Sequence, residues 1–134
     1  MMLLDSNIII YAAKPEHDDL RRFIAEHAPV VPAISRVEVL GFHRLTEQDK
    51  VFFEAFFAAA TVFPITESIL DQAIQLRQVR KMSLGDALVA ATCLVHSLTL
   101  VTCNTDDFDW IPSLRLFNPF RTPTSEGSAQ QTGV

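Results

Sequence analysis

Residues 83–102 read SLGDALVAATCLVHSLTLVT and place a helix directly before a strand. Ser83 is a residue type that favours the N-cap of a helix. Residues 84–97 are apolar nearly all round, which predicts a buried, central helix. Residues 98–102 are aliphatic and β-branched, which predicts a strand. A helix that runs straight into a strand is typical of a βαβ unit, so this stretch favours a parallel sheet covered by helices.

The same alternation continues along the rest of the chain. Short apolar or β-branched runs predict further strands at residues 2–4, 30–34, 61–65 and 114–117. Apolar residues at helical spacing predict helices at residues 6–13, 16–26, 35–45, 46–60 and 66–81. Because strands and helices alternate, we predict an α/β fold: a three-layer α/β/α sandwich with a central, mainly parallel sheet.

Length and composition indicate one folded domain. The chain has 134 residues, of which 49% are hydrophobic, and this content excludes a disordered tail protein. We expect a single domain over residues 1–120. Thr, Ser, Gly, Gln and Pro dominate residues 121–134, and we expect that segment to be disordered.

The charge of −5 excludes a global basic surface for capturing nucleic acid. If nucleic acid is the substrate, a bound cation must offset the local repulsion. Cys93 and Cys103 form no CxxC motif, so no disulfide framework is expected. The N-terminus has no basic region, and the longest uncharged apolar run, residues 87–95, is too short to cross a bilayer. We therefore expect a cytoplasmic protein without a membrane segment.

Acidic residues lie at four places where a strand ends or a helix begins. Asp5 follows the first strand, Glu38 and Asp86 are placed in the first turns of helices, and Asp107 follows residues 98–102 together with Asn104. The carboxyl ends of parallel strands share one edge of the sheet, where functional crevices form. We therefore expect acids that are 33, 48 and 21 positions apart in sequence to converge.

Two interpretations of these acids remain open from the residues alone. Ser35-x-x-Glu38 and Ser83-x-x-Asp86 both fit a capping box, and Asp5 also fits a helix cap. Alternatively, the carboxylates repel one another and need a cation, and oxygen-only ligands favour magnesium or manganese over zinc. A cation held in this way activates water and stabilises a phosphodiester transition state, which indicates a nuclease or a phosphatase.

Four motifs, taken in order, resemble the PIN domain family. They are LLDSNII at residues 3–9, ISRVEVLG at 34–41, MSLGDALVAAT at 82–92 and LVTCNTDDF at 100–108. Their order, spacing and total length resemble the VapC toxins of type II toxin–antitoxin (VapBC) modules. The resemblance covers residues 2 to about 119.

This resemblance implies an endoribonuclease that depends on Mg²⁺ or Mn²⁺, usually forms a homodimer, and is held inactive by a VapB-type antitoxin. Asp5, Glu38 and Asp86 match the metal-binding carboxylates of the family. Asp107 or Asn104 fills the fourth position, and its charge favours Asp107. The supporting polar residues that the resemblance implies are Ser6, Asn7, Ser35 and Asn104.

Two alternatives to this activity remain: a catalytically degenerate PIN domain that binds RNA or protein, and a metal-dependent phosphatase. Lys14, Arg36 and Arg44 are candidate contacts for an RNA phosphate. Residues 52–57 contain four phenylalanines, more aromatic surface than one helix face is expected to bury, which predicts a partner on that helix.

Overall fold

The fold is described from a computed structural model that covers residues 1–121. The predicted tail, apart from Arg121, lies outside the described residues. In chain order the elements are β1 (Met2–Leu4), α1 (Ser6–Ala12), α2 (Asp18–His27), β2 (Val31–Pro32), α3 (Ile34–Leu40), α4 (Glu47–Ala59), β3 (Val62–Phe63), α5 (Glu67–Val79), α6 (Leu84–His96), β4 (Thr99–Val101), a 3-10 turn (Thr105–Asp107) and β5 (Leu116–Phe117).

The strands form a parallel sheet, as predicted. β1 pairs with β4 and β4 pairs with β5, while β2 pairs with β3. A single parallel bridge between Leu3 and Val30 joins the two ladders, so the strands lie in the order β3-β2-β1-β4-β5. The bridge is made by Leu4 N–H to Val30 O at 3.0 Å and Val30 N–H to Met2 O at 2.8 Å.

Successive residues of the central strands point to opposite faces of the sheet, and each face has its own core. Leu3 and Leu100 belong to the core that contains the buried residues of α5 and α6. Leu4 and Val101 belong to the core that contains those of α1 to α4. This period-two pattern gives helices on both faces and confirms the three-layer α/β/α sandwich.

The buried central helix and its Ser83 cap are as predicted. Residues 87–93 of α6 are all buried. Thr46, Thr66 and Ser83 accept hydrogen bonds from backbone N–H groups three residues later, and so begin α4, α5 and α6. Both cysteines are free thiols. None of the helices in residues 1–121 is both long enough and apolar enough to cross a membrane.

The start and the end of α3 differ from the prediction. Ala33 already has helical backbone angles directly after β2, so the helix begins at Ile34 and Ser35 lies inside it. The proposed Ser35–Glu38 capping box is therefore wrong, and Glu38 is in the second turn rather than the first. The helix ends at Leu40 with Gly41 as C-cap, and does not continue to Leu45.

The phenylalanines of α4 are better covered than the sequence predicts. Phe53 and Phe57 are buried, with 3% and 7% of their surface exposed. Phe52 and Phe56 are partly buried and pack against the same core. Phe53 and Phe57 are therefore covered within the chain, and the expectation that part of this aromatic surface meets a partner stays a prediction for Phe52 and Phe56.

Candidate active site

Asp5 is fixed between two neighbouring strands at the carboxyl edge of the sheet. It follows β1 and is buried, with 6% of its surface exposed. Its Oδ1 accepts a hydrogen bond from the backbone N–H of Ser6, and its Oδ2 accepts one from Thr102 Oγ1, both at 2.8 Å. Thr102 follows β4 and is fully buried. Asp5 therefore caps α1 and is also held by the adjacent strand.

Ser6 and Ser35 orient the carboxylate of Glu38. Ser6 Oγ donates to Glu38 Oε1 at 2.6 Å and lies 2.8 Å from Ser35 Oγ. A hydroxyl has one proton, and because Ser6 gives its proton to Glu38, Ser35 is the donor to Ser6. Both serines are buried. They connect α1 to α3 and fix Glu38, which accounts for Ser35 inside its helix without a capping role.

Gly85 allows the first turn of α6 to approach Glu38 closely. A Cβ atom added at Gly85 would overlap Glu38 Oε2 and lie 3.0 Å from Glu38 Cδ. Any other residue type at this position would displace the carboxylate. Sequence reasoning did not identify Gly85 as a site residue, although a glycine in the first turn of a strongly apolar helix costs helix stability and is a signal of close packing.

Asp86 and Asp107 complete the group from two other elements. Asp86 is in the first turn of α6, where its N–H donates to Ser83 Oγ at 3.1 Å. Asp107 is exposed on the 3-10 turn, whose backbone accepts a hydrogen bond from Trp110 Nε1 at 3.1 Å. Asn104 precedes this turn, and its N–H donates to Thr102 Oγ1 at 3.0 Å. Asn7 is exposed on α1.

Neighbouring carboxylates contribute to the raised pKa values of Asp86 and Asp5. Burial, followed by the charges of Asp5, Asp107 and Glu38, raises the pKa of Asp86 from 3.8 to about 6. Burial is also the largest cause that raises the pKa of Asp5, with Glu38 and Asp107 adding to it and the hydrogen bonds from Thr102 and Ser6 opposing it. Asp5, Glu38, Asp86 and Asp107 therefore lie near enough to interact electrostatically at this edge of the sheet.

The donor chemistry fits a hydrated hard cation. Across residues 1–121, no three His, Cys, Asp or Glu side chains are close enough to enclose an ion by themselves. Mg²⁺ commonly binds through one or two carboxylates, keeps several waters and takes further ligands from a substrate phosphate. Mutually repelling carboxylates at a partly open site supply ligands of this kind, whereas zinc sites in proteins usually include His or Cys.

A cleft extends from the carboxylates along the end of α5. Its volume is about 570 Å³, and Asp86 and Asp107 line one part of it. Asp106, Met82 and Ser83 also line it, together with three cations and an aromatic ring: Arg77, Arg80, Lys81 and Trp110. Sequence reasoning proposed Lys14 as a phosphate contact, but Lys14 lines a separate cavity between α1 and α4. The sequence feature that could have identified these cations is the basic segment directly before the third motif, which contains Arg77, Arg80 and Lys81.

Comparisons with known proteins identify the fold. A family model described as the PIN domain matches residues 2–112. A comparison with curated proteins found no match. A toxin–antitoxin complex from Klebsiella pneumoniae contains a chain that is 25% identical, with 91% of this chain and 100% of that chain covered and a TM-score of 0.72.

Two further solved structures are similar to this chain in fold. VapBC2 from Rickettsia felis, bound to a DNA fragment from its promoter, is 22% identical over 87% of this chain and 97% of that chain, with a TM-score of 0.75. DNA-bound VapBC from Salmonella typhimurium is 19% identical over 89% and 99%, with a TM-score of 0.78. These matches confirm the fold that the four motifs predict.

Proposed function

The chain belongs to the PIN domain family, and from that premise we propose that it is a metal-dependent endoribonuclease and the toxin of a type II toxin–antitoxin module. The observation that supports this most is the convergence of four carboxylates at the carboxyl edge of the sheet. Burial and, after it, repulsion from the neighbouring carboxylates raise the pKa of Asp86, so the charged site is disfavoured unless a cation is bound. Capping alone does not explain why acids from four elements meet there.

The proposed metal ligands are Asp5, Glu38, Asp86 and Asp107, which hold Mg²⁺ or Mn²⁺ either directly or through its bound waters. When bound, such a cation lowers the pKa of a coordinated water and stabilises the charge that develops on a phosphodiester. Thr102 holds Asp5 in place, while Ser6 and Ser35 hold Glu38. These hydroxyls keep their own protons and orient the carboxylates, as outer-shell groups do in metal sites.

The proposed partner is a VapB-type antitoxin. The neighbours in fold are described as a toxin–antitoxin complex and as VapBC assemblies, which supports a toxin role for this chain. We also propose a homodimer, in keeping with the family resemblance.

Cleavage of single-stranded RNA by the purified protein in Mn²⁺ or Mg²⁺ tests the activity. Loss of outer-shell groups costs about 10–100-fold in metal sites, so Asp5→Asn and Glu38→Gln should each lower cleavage by about 100-fold or more. Asp71→Asn removes an exposed carboxylate on α5 and is the matched control, with unchanged cleavage expected.

Two further arms distinguish the alternatives. Single-stranded DNA and p-nitrophenyl phosphate are incubated under the same conditions. Hydrolysis of the small ester without cleavage of RNA would indicate a phosphatase. RNA binding without any cleavage would indicate a degenerate binding domain.

A further inference from the structure

We propose that the cleft beside Asp86 and Asp107 binds an unpaired nucleotide of the RNA strand, with its base against Trp110 and its phosphate at Arg80 and Lys81. This inference rests on the proposed nuclease function and extends it to how the substrate is held. It assigns a role to residues that the carboxylate site itself does not use.

The cations of the cleft form no ion pairs with the three acids that line it, Asp86, Asp106 and Asp107. In the part of the chain that the structure describes, the ion pairs all lie on α2, between Arg21 or Arg22 and Asp18 or Asp19. Arg80 and Lys81 are exposed and pair with none of the acids that line the same cleft. In a chain of net charge −5, these cations are available to a phosphate group.

Arg77 is held in place at the same wall. Its Nε donates to the carbonyl oxygen of Met82 at 3.3 Å, which connects the end of α5 to the segment before α6. The basic wall is therefore built from a fixed arginine followed by two exposed cations.

Trp110 provides a rigid aromatic surface in the cleft. It is partly buried, packs against the core beside α5 and α6, and donates its indole N–H to Asp107 O. The guanidinium carbon of Arg80 lies 5.3 Å from the centre of its ring. A flat cation therefore already rests on the ring, and a nucleobase is a flat group that stacks in the same way. A base at this position would release Arg80 towards the adjoining phosphate.

The position of the cleft connects binding to chemistry. Trp110 and Asp107 are three residues apart and joined by a hydrogen bond, so a base on Trp110 lies beside the carboxylates. The volume of about 570 Å³ lies within the roughly 300–1,000 Å³ common for small-ligand sites. Only an unpaired base can present a face to the ring, so the cleft selects single strands over duplexes.

Trp110 is the only tryptophan of the chain, so its fluorescence reports base stacking directly. The Asp5→Asn protein is titrated with a single-stranded RNA oligonucleotide of mixed sequence, which separates binding from cleavage because Asp5 does not line the cleft. We expect saturable quenching by the single strand and little quenching by a duplex of the same sequence. Equal quenching by the duplex, or none by the single strand, would overturn the proposal.

Two replacements of Trp110 separate stacking from positioning of Asp107. Trp110→Phe keeps an aromatic ring but loses the N–H that donates to Asp107 O, whereas Trp110→Leu loses both. With a fluorescently labelled RNA strand, we expect near-normal affinity for the Phe variant and about tenfold weaker binding for the Leu variant. If both variants weaken binding equally, the ring does not stack on a base and the proposal is wrong.

Surface variants test the phosphate contacts without disturbing the core. Arg80→Gln and Lys81→Gln should each reduce the slope of log affinity against log salt by about 0.7, the value for one phosphate of a single strand. Lys50→Gln removes an exposed lysine from α4 and should leave the slope unchanged. An unchanged slope in both cleft variants would overturn the proposal.

The outcomes for the subsite and for the activity are distinguishable. Cleavage by the wild type with an unaltered KM in Arg80→Gln would reject the nucleotide subsite and leave the nuclease. Quenching by single-stranded RNA without any cleavage by the wild type would support the subsite and reject the nuclease.

Discussion

Replacing Asp86 with asparagine should stabilise the metal-free protein at neutral pH while removing its activity. Asparagine keeps the size of the side chain and the backbone N–H that donates to Ser83 Oγ. It removes a charge that is disfavoured by burial and by the carboxylates of Asp5, Asp107 and Glu38. Stability should rise and activity should fall because the carboxylate of Asp86 is proposed to bind a cation and does not stabilise the metal-free fold.

The size of the effect follows from the pKa of Asp86, which rises from 3.8 to about 6. Two pKa units correspond to about 3 kcal/mol, and since solvent still reaches this side chain and screens its charge, we expect about half of that. The dipole of α6 favours an acid in its first turn by about 0.3–1 kcal/mol and opposes the gain. The free energy of unfolding of Asp86→Asn should therefore exceed that of the wild type by about 1 kcal/mol, which raises Tm by about 3–5 °C for a domain of this length.

The raised pKa of Asp86 determines how the stability of the wild type changes with pH. Because the pKa of Asp86 is higher in the folded state, the folded protein binds more protons between pH 3.8 and about 6. The stability of the wild type falls as pH rises through this window, and the penalty is complete above about pH 7. The advantage of Asp86→Asn should therefore be largest at pH 7.5 and about half as large at pH 5.

Thermal melting followed by circular dichroism checks this in EDTA at pH 7.5 and pH 5, with Asp71→Asn as the control for loss of an exposed carboxylate. Mn²⁺ at about 100 times its Kd should stabilise the wild type by about 2.7 kcal/mol and reverse the order of the two proteins. If Asp86→Asn melts at or below the wild type in EDTA at pH 7.5, the carboxylate acts only as a cap and the electrostatic reasoning is refuted.

Three further predictions concern the groups around the carboxylates. Gly85→Ala should displace Glu38 from Ser6 and lower cleavage by about 10–100-fold, with an equal or slightly higher Tm because alanine favours helix; normal cleavage would contradict the close approach. Thr102→Val should lower the free energy of unfolding by about 1–3 kcal/mol and raise the pKa of Asp5 further. A denaturation curve of the variant that coincides with that of the wild type would disprove this. Burial raises the pKa of the Cys93 thiol to about 12, so at pH 8 a thiol reagent should label Cys103 first and Cys93 only after unfolding, as mass spectrometry would show.

Local patterns were enough to predict the layers of the fold. The alternation of Leu3 with Leu4 and of Leu100 with Val101 places successive side chains in two different cores, and a sequence shows that period directly. The start of α3 was predicted less well because it depends on how the chain leaves β2. Ala33 enters the helical conformation there, and Ser35 is then used for a hydrogen bond to Ser6 instead of a cap.

The arrangement of the site depends on contacts between residues far apart in sequence. Ser6 reaches Glu38 across 32 positions, and Thr102 reaches Asp5 across 97. Topology predicts that these segments meet at one edge, but it does not say which hydroxyl donates to which carboxylate. The cations of the cleft were not predicted for the same reason. Arg80 is a candidate binding residue because it lies over the ring of Trp110, which is 30 positions away in sequence.

Helix capping and the proposed metal binding are compatible at these helix starts. Asp5 Oδ1 satisfies the first N–H of α1, while Oδ2 is held by Thr102, so one side chain begins a helix and fixes a position at the site. Asp86 lies in the first turn of α6 beside Gly85, where Ser83 is the N-cap, and the start of the helix determines where the charge of Asp86 lies. Each cap lowers the free energy of its helix locally, while the convergence of the charged groups raises that of the whole metal-free fold. A cation that binds only the folded state removes the second effect without disturbing the first, so stability and activity should depend on the same ion.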